Sequence, residues 1–247
     1  MSRADRICAD RICAVVPIKG VVGAKQRLAA VLDAETRSAL ALAMAEDVLE
    51  VLSAVPELFR VLVVTADATA AALARNYGAE VTDVQASEGH TGAVTGGARR
   101  LAREGVALIT LPGDLPLLAP ADVSRVIAAH RAACADGRPG FTISPARDFQ
   151  GSNAILMTPA DAVPLRFGSN SFYPHLDAAR NAGITPTVVE VPGIGFDIDE
   201  PHDLADFLIT NAPTRAGRLV AALGPDFSAR LAVHLERAAP TGMEAGE

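Results

Sequence analysis

Three aspartates follow predicted buried strands and are the residues best suited to chemistry. Asp114 stands in the turn "LPGDLPLL", and Asp197 and Asp199 stand in the acidic turn "FDIDEP". A carboxylate at the end of a buried strand is costly to desolvate unless water, a hydrogen-bond donor or a cation interacts with it. Three carboxylates that meet would repel one another unless a hard cation such as Mg²⁺ lay between them. The pattern favours a Mg²⁺ site, although Asp114 could instead cap a helix and the other two could be turn residues.

A cationic, glycine-containing loop stands near the start of the chain, in "IKGVVGAKQRL". It places Lys19, Lys25 and Arg27 within nine residues, together with Gly20 and Gly23. Glycine lets a backbone come close to a phosphate, and three cations can neutralise a triphosphate as pyrophosphate departs. The loop is not a P-loop, because the GxxxxGK[ST] pattern is absent, and its cations could also be ordinary solvated side chains. Taken with the three aspartates, the loop favours the binding of a nucleoside triphosphate.

The composition limits the kinds of protein that this chain can be. The 247 residues are 50% hydrophobic and 4% aromatic, which is typical of parallel strands covered by helices. A net charge of -7 argues against general nucleic-acid binding, because no basic stripe could displace counterions from a phosphate backbone. Three cysteines without CxxC spacing indicate reduced thiols, and no apolar run approaches the roughly 18 residues of a membrane helix. We therefore expect a cytoplasmic protein that binds neither nucleic acid nor membrane.

Strands and helices alternate along the chain and must position these residues. The first half predicts strands over 11–17, 60–67, 79–84 and 106–112, and helices over 33–55, 68–78, 93–104 and 120–135. The second half predicts strands over 140–146, 153–158 and 185–192, a loop that enters a helix over 166–183, and a helix that begins at Pro201. This alternation indicates an α/β fold with a mostly parallel sheet flanked by helices. Ligands bind at the carboxyl ends of such strands, so the loops at 19–27, 88–92, 114 and 197–200 should share one edge.

The chain is expected to form one domain over residues 12–210. Residues 1–11 form an N-terminal extension that includes most of the repeat "ADRICADRIC". Each repeat has five residues, which is too short for a structural repeat unit. Residues 211–247 form a C-terminal helical tail with one amphipathic segment, "FSARLAVHLERAA". The alanine-rich helices and this tail could supply the surface of a homodimer.

Five motifs occur in order and together resemble one enzyme family. They are "PIKGVVGAKQRL", "PGDLPLL", "QGSNAI", "FGSNSF" and "GFDIDEPHDL", and they span roughly residues 12 to 210. In this order they resemble the 2-phospho-L-lactate guanylyltransferase family of coenzyme F-420 biosynthesis, which also includes phosphoenolpyruvate guanylyltransferases. The resemblance implies a single Rossmann-like nucleotidyltransferase domain of the glycosyltransferase-A type.

The reaction that the resemblance implies is a transfer of GMP from GTP. A phosphate oxygen of a small phosphorylated acid would attack the α-phosphorus of GTP, and pyrophosphate would leave. Mg²⁺ would be the cofactor, and no side-chain nucleophile would be required. The acceptor could be 2-phospho-L-lactate, phosphoenolpyruvate or 3-phosphoglycerate, and the product would pass to a deazaflavin transferase.

By their positions in the shared motifs, the resemblance also implies three groups of site residues. The metal ligands would be Asp114, Asp197 and Asp199, and Asp114 would act in catalysis with the cations Lys19, Lys25 and Arg27. The nucleotide would contact Gly20, Gly89, His90, Thr91 and Gly92, although His90 could also be a solvated loop histidine. The acceptor would contact Ser152, Gly168 and Ser171, because hydroxyls and a glycine N–H suit a carboxylate or phosphate.

Two other functions remain open from the sequence. One is a different nucleotidyltransferase, such as a molybdenum cofactor guanylyltransferase or a sugar-phosphate cytidylyltransferase, although the short acceptor half argues against large acceptors. The other is a non-catalytic nucleotide-binding module that regulates a partner. Retention of all three aspartates argues against such a module, because a pure binder gains little from placing carboxylates beside a triphosphate.

The acidic turns yield a first prediction. Asp114→Asn should abolish turnover and leave the fold intact, because the amide keeps the shape of the side chain and loses its charge. Pyrophosphate release and circular dichroism would measure the two properties. Near-normal turnover in this variant would remove Asp114 from the metal site.

Overall fold

The computed structural model describes residues 11–21 and 23–238. Apart from Arg11, the predicted N-terminal extension over 1–11 lies outside the described residues, as do residues 239–247 of the predicted tail. The predicted domain boundaries therefore stay predictions.

The described residues form one sheet with the strand order β3-β2-β1-β4-β6-β5-β7. The strands are β1 (Ile12–Pro17), β2 (Leu58–Val64), β3 (Glu80–Thr82), β4 (Ala107–Thr110), β5 (Gly140–Pro145), β6 (Ser152–Thr158) and β7 (Thr187–Val188). Strands β1 to β4 are mutually parallel where they pair, and β6 alone runs antiparallel to its neighbours β4 and β5. The mostly parallel sheet that the sequence predicts is confirmed.

Helices cover both faces of this sheet. They are α1 (Ala34–Ser53), α2 (Ala68–Asn76), α3 (Gly89–Arg103), α4 (Pro120–Ala133), α5 (Phe172–Asn181), α6 (Pro192–Gly195), α7 (Pro201–Thr210), α8 (Arg215–Ala221) and α9 (Gly224–Ala238). Two 3-10 helices span Gln26–Ala30 and Ala86–Glu88. No helix in the described part of the chain combines the length and apolar character needed to cross a membrane.

Strand β1 is buried along its whole length because helices pack on both of its faces. Ile12, Ala14 and Val16 face one apolar cluster, which includes residues of α1 and α4. Cys13 and Val15 face the opposite cluster, which includes residues of α3 and α5. Successive side chains of a strand point to opposite faces, so a strand in the middle of two helical layers must be apolar at every position.

The structure corrects the prediction for residues 88–92. The sequence predicts a polar loop there and a helix from residue 93, whereas α3 already begins at Gly89. Glycines disfavour helix, yet a Cβ on Gly97 would lie 3.1 Å from Cγ1 of Val15. Close packing of α3 on β1 therefore requires small residues in this helix, and tertiary contact outweighs local propensity.

The second half departs from the predictions in two places. The strand predicted over 185–192 contains only the two residues of β7, and its end forms α6. Ser152, which the sequence places in the polar segment between two strands, is the first residue of β6 and is buried. A hairpin of β5 and β6 explains the burial of Ser152, because the ladder continues to the end of the turn.

Helices α8 and α9 pack on the domain through a third apolar cluster, which joins Leu40, Met44, Phe207, Val220 and Phe227. The sequence predicts only the second of these helices. Polar contacts also hold α8 in place.

The buried carboxylate of Asp47 in α1 holds the start of α8. It accepts hydrogen bonds from the backbone N–H groups of Arg215 and Ala216, each at 2.9 Å. These two donors belong to the first turn of a helix and have no partner within it. Asp47 is only 7% exposed, so water cannot replace the lost acceptor easily.

Asp47→Ala should lower the free energy of unfolding by about 2 kcal/mol, because two buried N–H groups lose a charged acceptor. Chemical denaturation measures this change. Glu50→Ala is the matched control, since Glu50 pairs with the side chain of the same Arg215 but is exposed, and it should cost much less. Equal losses in the two variants would show that Asp47 does not hold α8.

Candidate active site

A cleft of about 890 Å³ opens beside the carboxyl ends of β1 and β4. Its walls come from the loop after β1, the turn after β4, the first turn of α3, and three segments of the second half of the chain. Among the residues that line it are Lys19, Gly20, Lys25, Arg27, His90, Thr91, Asp114, Gly168, Asp197 and Asp199. The fold therefore brings most of the predicted site residues into one cleft.

The ammonium of Lys25 joins two of the predicted metal ligands. Its Nζ lies 2.6 Å from Oδ2 of Asp114 and 2.9 Å from Oδ1 of Asp199, and the Lys25 side chain is only 9% exposed. Burial opposes the charged form, but the two carboxylates outweigh it and raise the pKa of Lys25 above its ordinary value. Lys25 is therefore a fixed positive charge in this structure.

The backbone of Lys25 adopts the left-handed conformation, with φ 51° and ψ 48°. A residue with a Cβ adopts this conformation at a cost of about 1 kcal/mol or more, and such residues concentrate at functional sites. The 3-10 helix Gln26–Ala30 begins immediately afterwards. This turn of the backbone accompanies the approach of the Lys25 ammonium to the two carboxylates.

Asp197 and Asp199 differ in their electrostatics although they are two residues apart. Burial would raise the pKa of Asp199, but Lys25 holds it below its ordinary value. Burial and then the charge of Asp114 raise the pKa of Asp197 to about 6. Asn153 donates to Oδ1 of Asp197 at 3.1 Å and only partly offsets this effect. Asp197 is the carboxylate that Lys25 leaves without a close counterion.

The donor set fits a hard divalent cation. The Lys25 ammonium contacts Asp114 and Asp199 but not Asp197, whose pKa is raised first by burial and then by the charge of Asp114, so a cation beside Asp197 would relieve the repulsion between these carboxylates. Within residues 11–21 and 23–238, no group of three or more carboxylate, imidazole or thiol side chains is placed so that it could hold a metal ion by itself. Mg²⁺ often binds through one or two carboxylates together with substrate phosphates rather than in a cage made by the protein alone.

Lys19 and Arg27, the other two cations of the loop, lie at the exposed part of the cleft. Arg27 Nη1 is 3.5 Å from Oε1 of Glu200, and both side chains are largely exposed. Such a pair contributes little to stability, so the Arg27 guanidinium can exchange Glu200 for a ligand at small cost. Lys19 also lines the cleft and is exposed.

Asp67 holds the cationic loop and is a residue that the sequence analysis missed. Its Oδ2 accepts from Val21 N at 2.9 Å, while its Oδ1 accepts from Thr69 N and Ala70 N at the start of α2. Hydrogen bonds from Ala70 and Val21 lower the pKa of Asp67. An aspartate directly before an alanine-rich helix is a typical N-cap, which is the signal that could have identified this helix cap. Its contact with the loop is long-range and leaves no local signal.

Asp203 holds the acidic turn in a similar way and was also missed. Its Oδ2 accepts from Asp199 N at 3.0 Å and from Glu200 N at 2.8 Å, and its Oδ1 pairs with Arg147 Nη2 at 2.5 Å. Asp203 is the third residue of α7, which Pro201 begins. Proline at the first helical position with an acidic residue at the third is a sequence pattern that indicates the start of a helix.

The predicted acceptor residues separate into those in the cleft and those behind its wall. Gly168 lines the cleft, whereas Ser152 and Ser171 are only 7% and 4% exposed and do not belong to its lining. Their chain neighbours Gly151 and Asn170 do line it. The two hydroxyls lie 3.2 Å apart, so the structure brings these serines together directly behind the cleft.

The predicted nucleotide contacts in α3 are arranged around Phe167. His90 and Thr91 line the cleft, whereas Gly89 and Gly92 are not part of its lining. The His90 ring stacks on Phe167 with centroids 4.3 Å apart, and Thr91 Oγ1 accepts from Phe167 N at 3.0 Å. Burial lowers the pKa of His90 to about 4, so the ring is neutral at pH 7. His90 is a packed wall residue rather than a solvated loop histidine.

Comparison with solved structures defines the class of protein. A putative nucleotide-diphospho-sugar transferase from Desulfovibrio desulfuricans G20 superposes with a TM-score of 0.69 at 15% identity, covering 92% of this chain and 99% of that one. A 4-diphosphocytidyl-2C-methyl-D-erythritol synthase from Anaerococcus prevotii superposes with a TM-score of 0.53 at 12% identity, covering 79% and 95%. At these identities the likeness shows the fold alone, which is a Rossmann-like nucleotidyltransferase fold.

Sequence comparison then identifies the family. The chain belongs to the family described as "Guanylyl transferase CofC like", whose model matches residues 12–239. It is 42% identical to the phosphoenolpyruvate guanylyltransferase of Rubrobacter xylanophilus, covering 78% of this chain and 92% of that protein. It is 30% identical to the 2-phospho-L-lactate guanylyltransferase of Methanothermobacter thermautotrophicus, covering 83% and 88%. It is 30% identical to the 3-phospho-D-glycerate guanylyltransferase of Colwellia psychrerythraea, covering 81% and 92%. The resemblance is confirmed, and the chain is a nucleotidyltransferase of the guanylyltransferase kind.

The electrostatics of Asp197 yield a prediction about stability and pH. The pKa of this group is about 6 in the folded protein and near 3.8 as a free side chain, so the folded state binds more protons between about pH 4 and pH 6. The stability that this group contributes is therefore lost as pH rises through that window. Asp197→Asn cannot ionise, and it should raise the free energy of unfolding at pH 7 by at most about 3 kcal/mol.

Denaturation curves of both proteins between pH 4 and pH 7 measure this effect. Asp161→Asn, which removes an exposed carboxylate, is the matched control and should leave both stability and its pH dependence unchanged. A fall in stability on replacing Asp197, or an unaltered pH dependence, would contradict the raised pKa of Asp197.

Proposed function

We propose that this protein transfers GMP from GTP to the phosphate of a small three-carbon phospho-acid and releases pyrophosphate, as a step of coenzyme F-420 biosynthesis. The proposal rests on three features that surround one cleft. They are the carboxylates of Asp114, Asp197 and Asp199, the cationic loop after β1, and the loop over 166–171 that contains Gly168, which we call the acceptor loop. The names of the relatives support both the nucleotide and the class of acceptor.

The nucleotide would bind between the cationic loop and the first turn of α3. Lys19 and Arg27 are the exposed cations of the cleft and would contact the triphosphate. Thr91 and the neutral ring of His90 form the wall on which we place the guanosine. Because Asp67 holds the loop by its backbone at Val21, the cations can change partners without moving the loop.

Asp114, Asp197 and Asp199 would hold Mg²⁺, which supplies neutralisation of the charge that develops on the departing pyrophosphate. Asp203 fixes the acidic turn through two backbone N–H groups and thereby orients Asp199. Lys25 keeps Asp114 and Asp199 close together. Lys25 and Asp203 thus position Asp114 and Asp199, and Asp197 would join them when the metal binds.

The acceptor would lie in the cleft against Gly168, and the small exposed parts of Ser152 and Ser171 would face it from behind the cleft wall. An oxygen of its phosphate forms the new bond to the α-phosphorus, and the bond from that phosphorus to the oxygen of pyrophosphate breaks. The attacking oxygen is already anionic at neutral pH, so no side chain has to remove a proton. Burial lowers the pKa of His90 to about 4, which makes the ring a weak base and is consistent with a role in binding.

Phosphoenolpyruvate is the acceptor that we expect, because the protein that is 42% identical to this chain carries that name. Cytoplasmic location, transfer of the product to a deazaflavin transferase and a homodimer are parts of the same proposal.

Pyrophosphate release tests the reaction. GTP and Mg²⁺ are supplied with phosphoenolpyruvate, 2-phospho-L-lactate or 3-phosphoglycerate in turn, and the partner transferase with its deazaflavin substrate traps the labile product. We expect release that depends on one phospho-acid and requires GTP rather than CTP. An absence of release with every acceptor, while GTP still binds, would contradict the proposed reaction and favour a nucleotide-binding module.

A further inference from the structure

His175 of α5 is a buried histidine with both ring nitrogens occupied. The residue is 1% exposed. Its Nε2 accepts a hydrogen bond from the backbone N–H of Arg166 at 2.9 Å, and its Nδ1 lies 3.0 Å from Oγ of Ser152. Its ring also packs edge-on against Phe167, with centroids 5.0 Å apart. His175 therefore contacts the start of the loop that contains Gly168 and, on its other side, Ser152 of β6.

The hydrogen bond from Arg166 fixes the tautomer of the ring. A backbone N–H can only donate, so Nε2 of His175 must accept and cannot carry a proton. Burial, with a smaller effect of the neighbouring His90, lowers the pKa of His175 to about 4, so the ring is neutral at pH 7. A neutral ring without a proton on Nε2 carries it on Nδ1. His175 is consequently a donor to Ser152 and not an acceptor from it.

This tautomer leaves one hydroxyl hydrogen of the serine pair unused. Ser152 and Ser171 have two hydroxyl hydrogens, and the single contact between their Oγ atoms at 3.2 Å uses one of them, whichever serine donates. Because His175 donates to Ser152, it offers no acceptor for the other hydrogen. Among the hydrogen bonds of the described residues, no further acceptor for this pair occurs. In the opposite tautomer, Nδ1 of His175 would accept a hydrogen bond from the second hydroxyl, and no hydroxyl hydrogen of the pair would remain free to bind a ligand.

We propose that His175 is a positioning residue that makes the Ser152–Ser171 pair a hydrogen-bond donor toward an anionic oxygen of the acceptor. The proposal deepens the proposed function and rests on it. The pair lies behind Gly151 and Asn170, which line the cleft, and Ser152 and Ser171 each retain a small exposure. The same contact with Arg166 fixes the start of the acceptor loop, whose Phe167 is also held by Thr91.

Two amide variants separate the two hydrogen bonds of the ring. His175→Gln places an amide near the position of Nε2, where its oxygen can accept from Arg166, but it removes the N–H that occupies a lone pair of Ser152 Oγ and thereby orients the hydroxyl hydrogen of Ser152. His175→Asn places an amide near the position of Nδ1, where its nitrogen can still donate to Ser152. We expect His175→Gln to raise the KM of the acceptor about tenfold with the KM of GTP unchanged, and His175→Asn to change the acceptor KM far less.

Ser171→Ala and the double variant with His175→Gln complete the experiment. Ser171→Ala should also raise the acceptor KM, and the double variant should be less impaired than the product of the two single effects, because both changes act on one donor. Equal effects of His175→Gln and His175→Asn on the acceptor KM, or fully independent effects in the double variant, would overturn the proposal.

Nitrogen NMR of the histidine-labelled protein tests the tautomer without turnover. The resonances of His175 are assigned by their disappearance in the His175→Asn spectrum, or by long-range coupling if that variant does not fold. We expect a proton on Nδ1 and none on Nε2, and a proton on Nε2 would overturn the proposal. If wild-type protein releases no pyrophosphate with any acceptor, the proposed function fails, whereas the NMR result still decides the donor polarity of the pair.

Discussion

The Lys25 ammonium, shared between Asp114 and Asp199, is the contact on which the arrangement of the site depends. Along the chain, Lys25 is 89 positions from Asp114 and 174 positions from Asp199. Through it the loop after β1, the turn after β4 and the acidic turn before α7 meet at one point. Lys25 is nearly buried whereas Asp114 and Asp199 are partly exposed, so loss of the ammonium would leave two carboxylates close together without their shared counterion. The three segments are therefore interdependent although each comes from a different part of the sheet edge.

The aspartates of the cleft divide into two groups by what they bind. Asp67 and Asp203 accept hydrogen bonds from backbone N–H groups and fix the loops that contain Lys25 and Asp199. Asp114 and Asp199 instead share the Lys25 ammonium, and Asp197, whose pKa is raised by burial and then by the charge of Asp114, lies beside them without a close counterion. The first group makes the site rigid. The second group can still bind a cation, which is what a site for a metal-bound triphosphate requires.

The sequence predicts the parallel part of the fold well because its signals are local. Strand β1 is a continuous apolar run and α1 has helical periodicity, and both occur close to their predicted positions. The predictions fail where tertiary contact decides the structure. Helix α3 already begins at Gly89, and its Gly97 packs closely against Val15, a contact that no local sequence pattern indicates.

The site shows the same division between local and long-range information. Most of the site residues predicted from the sequence line the cleft, because those positions carry residue types that suit metal or phosphate binding. The sequence did not predict that Lys25 bridges two aspartates or that Ser152 is buried behind the cleft wall, because each feature depends on partners that are distant in the chain. Asp67 and Asp203 could have been recognised as helix caps, but not as the residues that hold two loops of the site.

Binding of Mn²⁺, a paramagnetic substitute for Mg²⁺, to the nucleotide-free protein tests this cation site most directly. Electron paramagnetic resonance would compare wild type with Lys25→Met, which keeps an unbranched side chain and removes the buried charge. Lys19→Met is the matched control, because it removes a cation of the same cleft that is exposed rather than buried between carboxylates. The account predicts that Lys25→Met binds Mn²⁺ at least about tenfold more tightly than wild type, with a much smaller gain in Lys19→Met. Unchanged or weaker binding in Lys25→Met would contradict it.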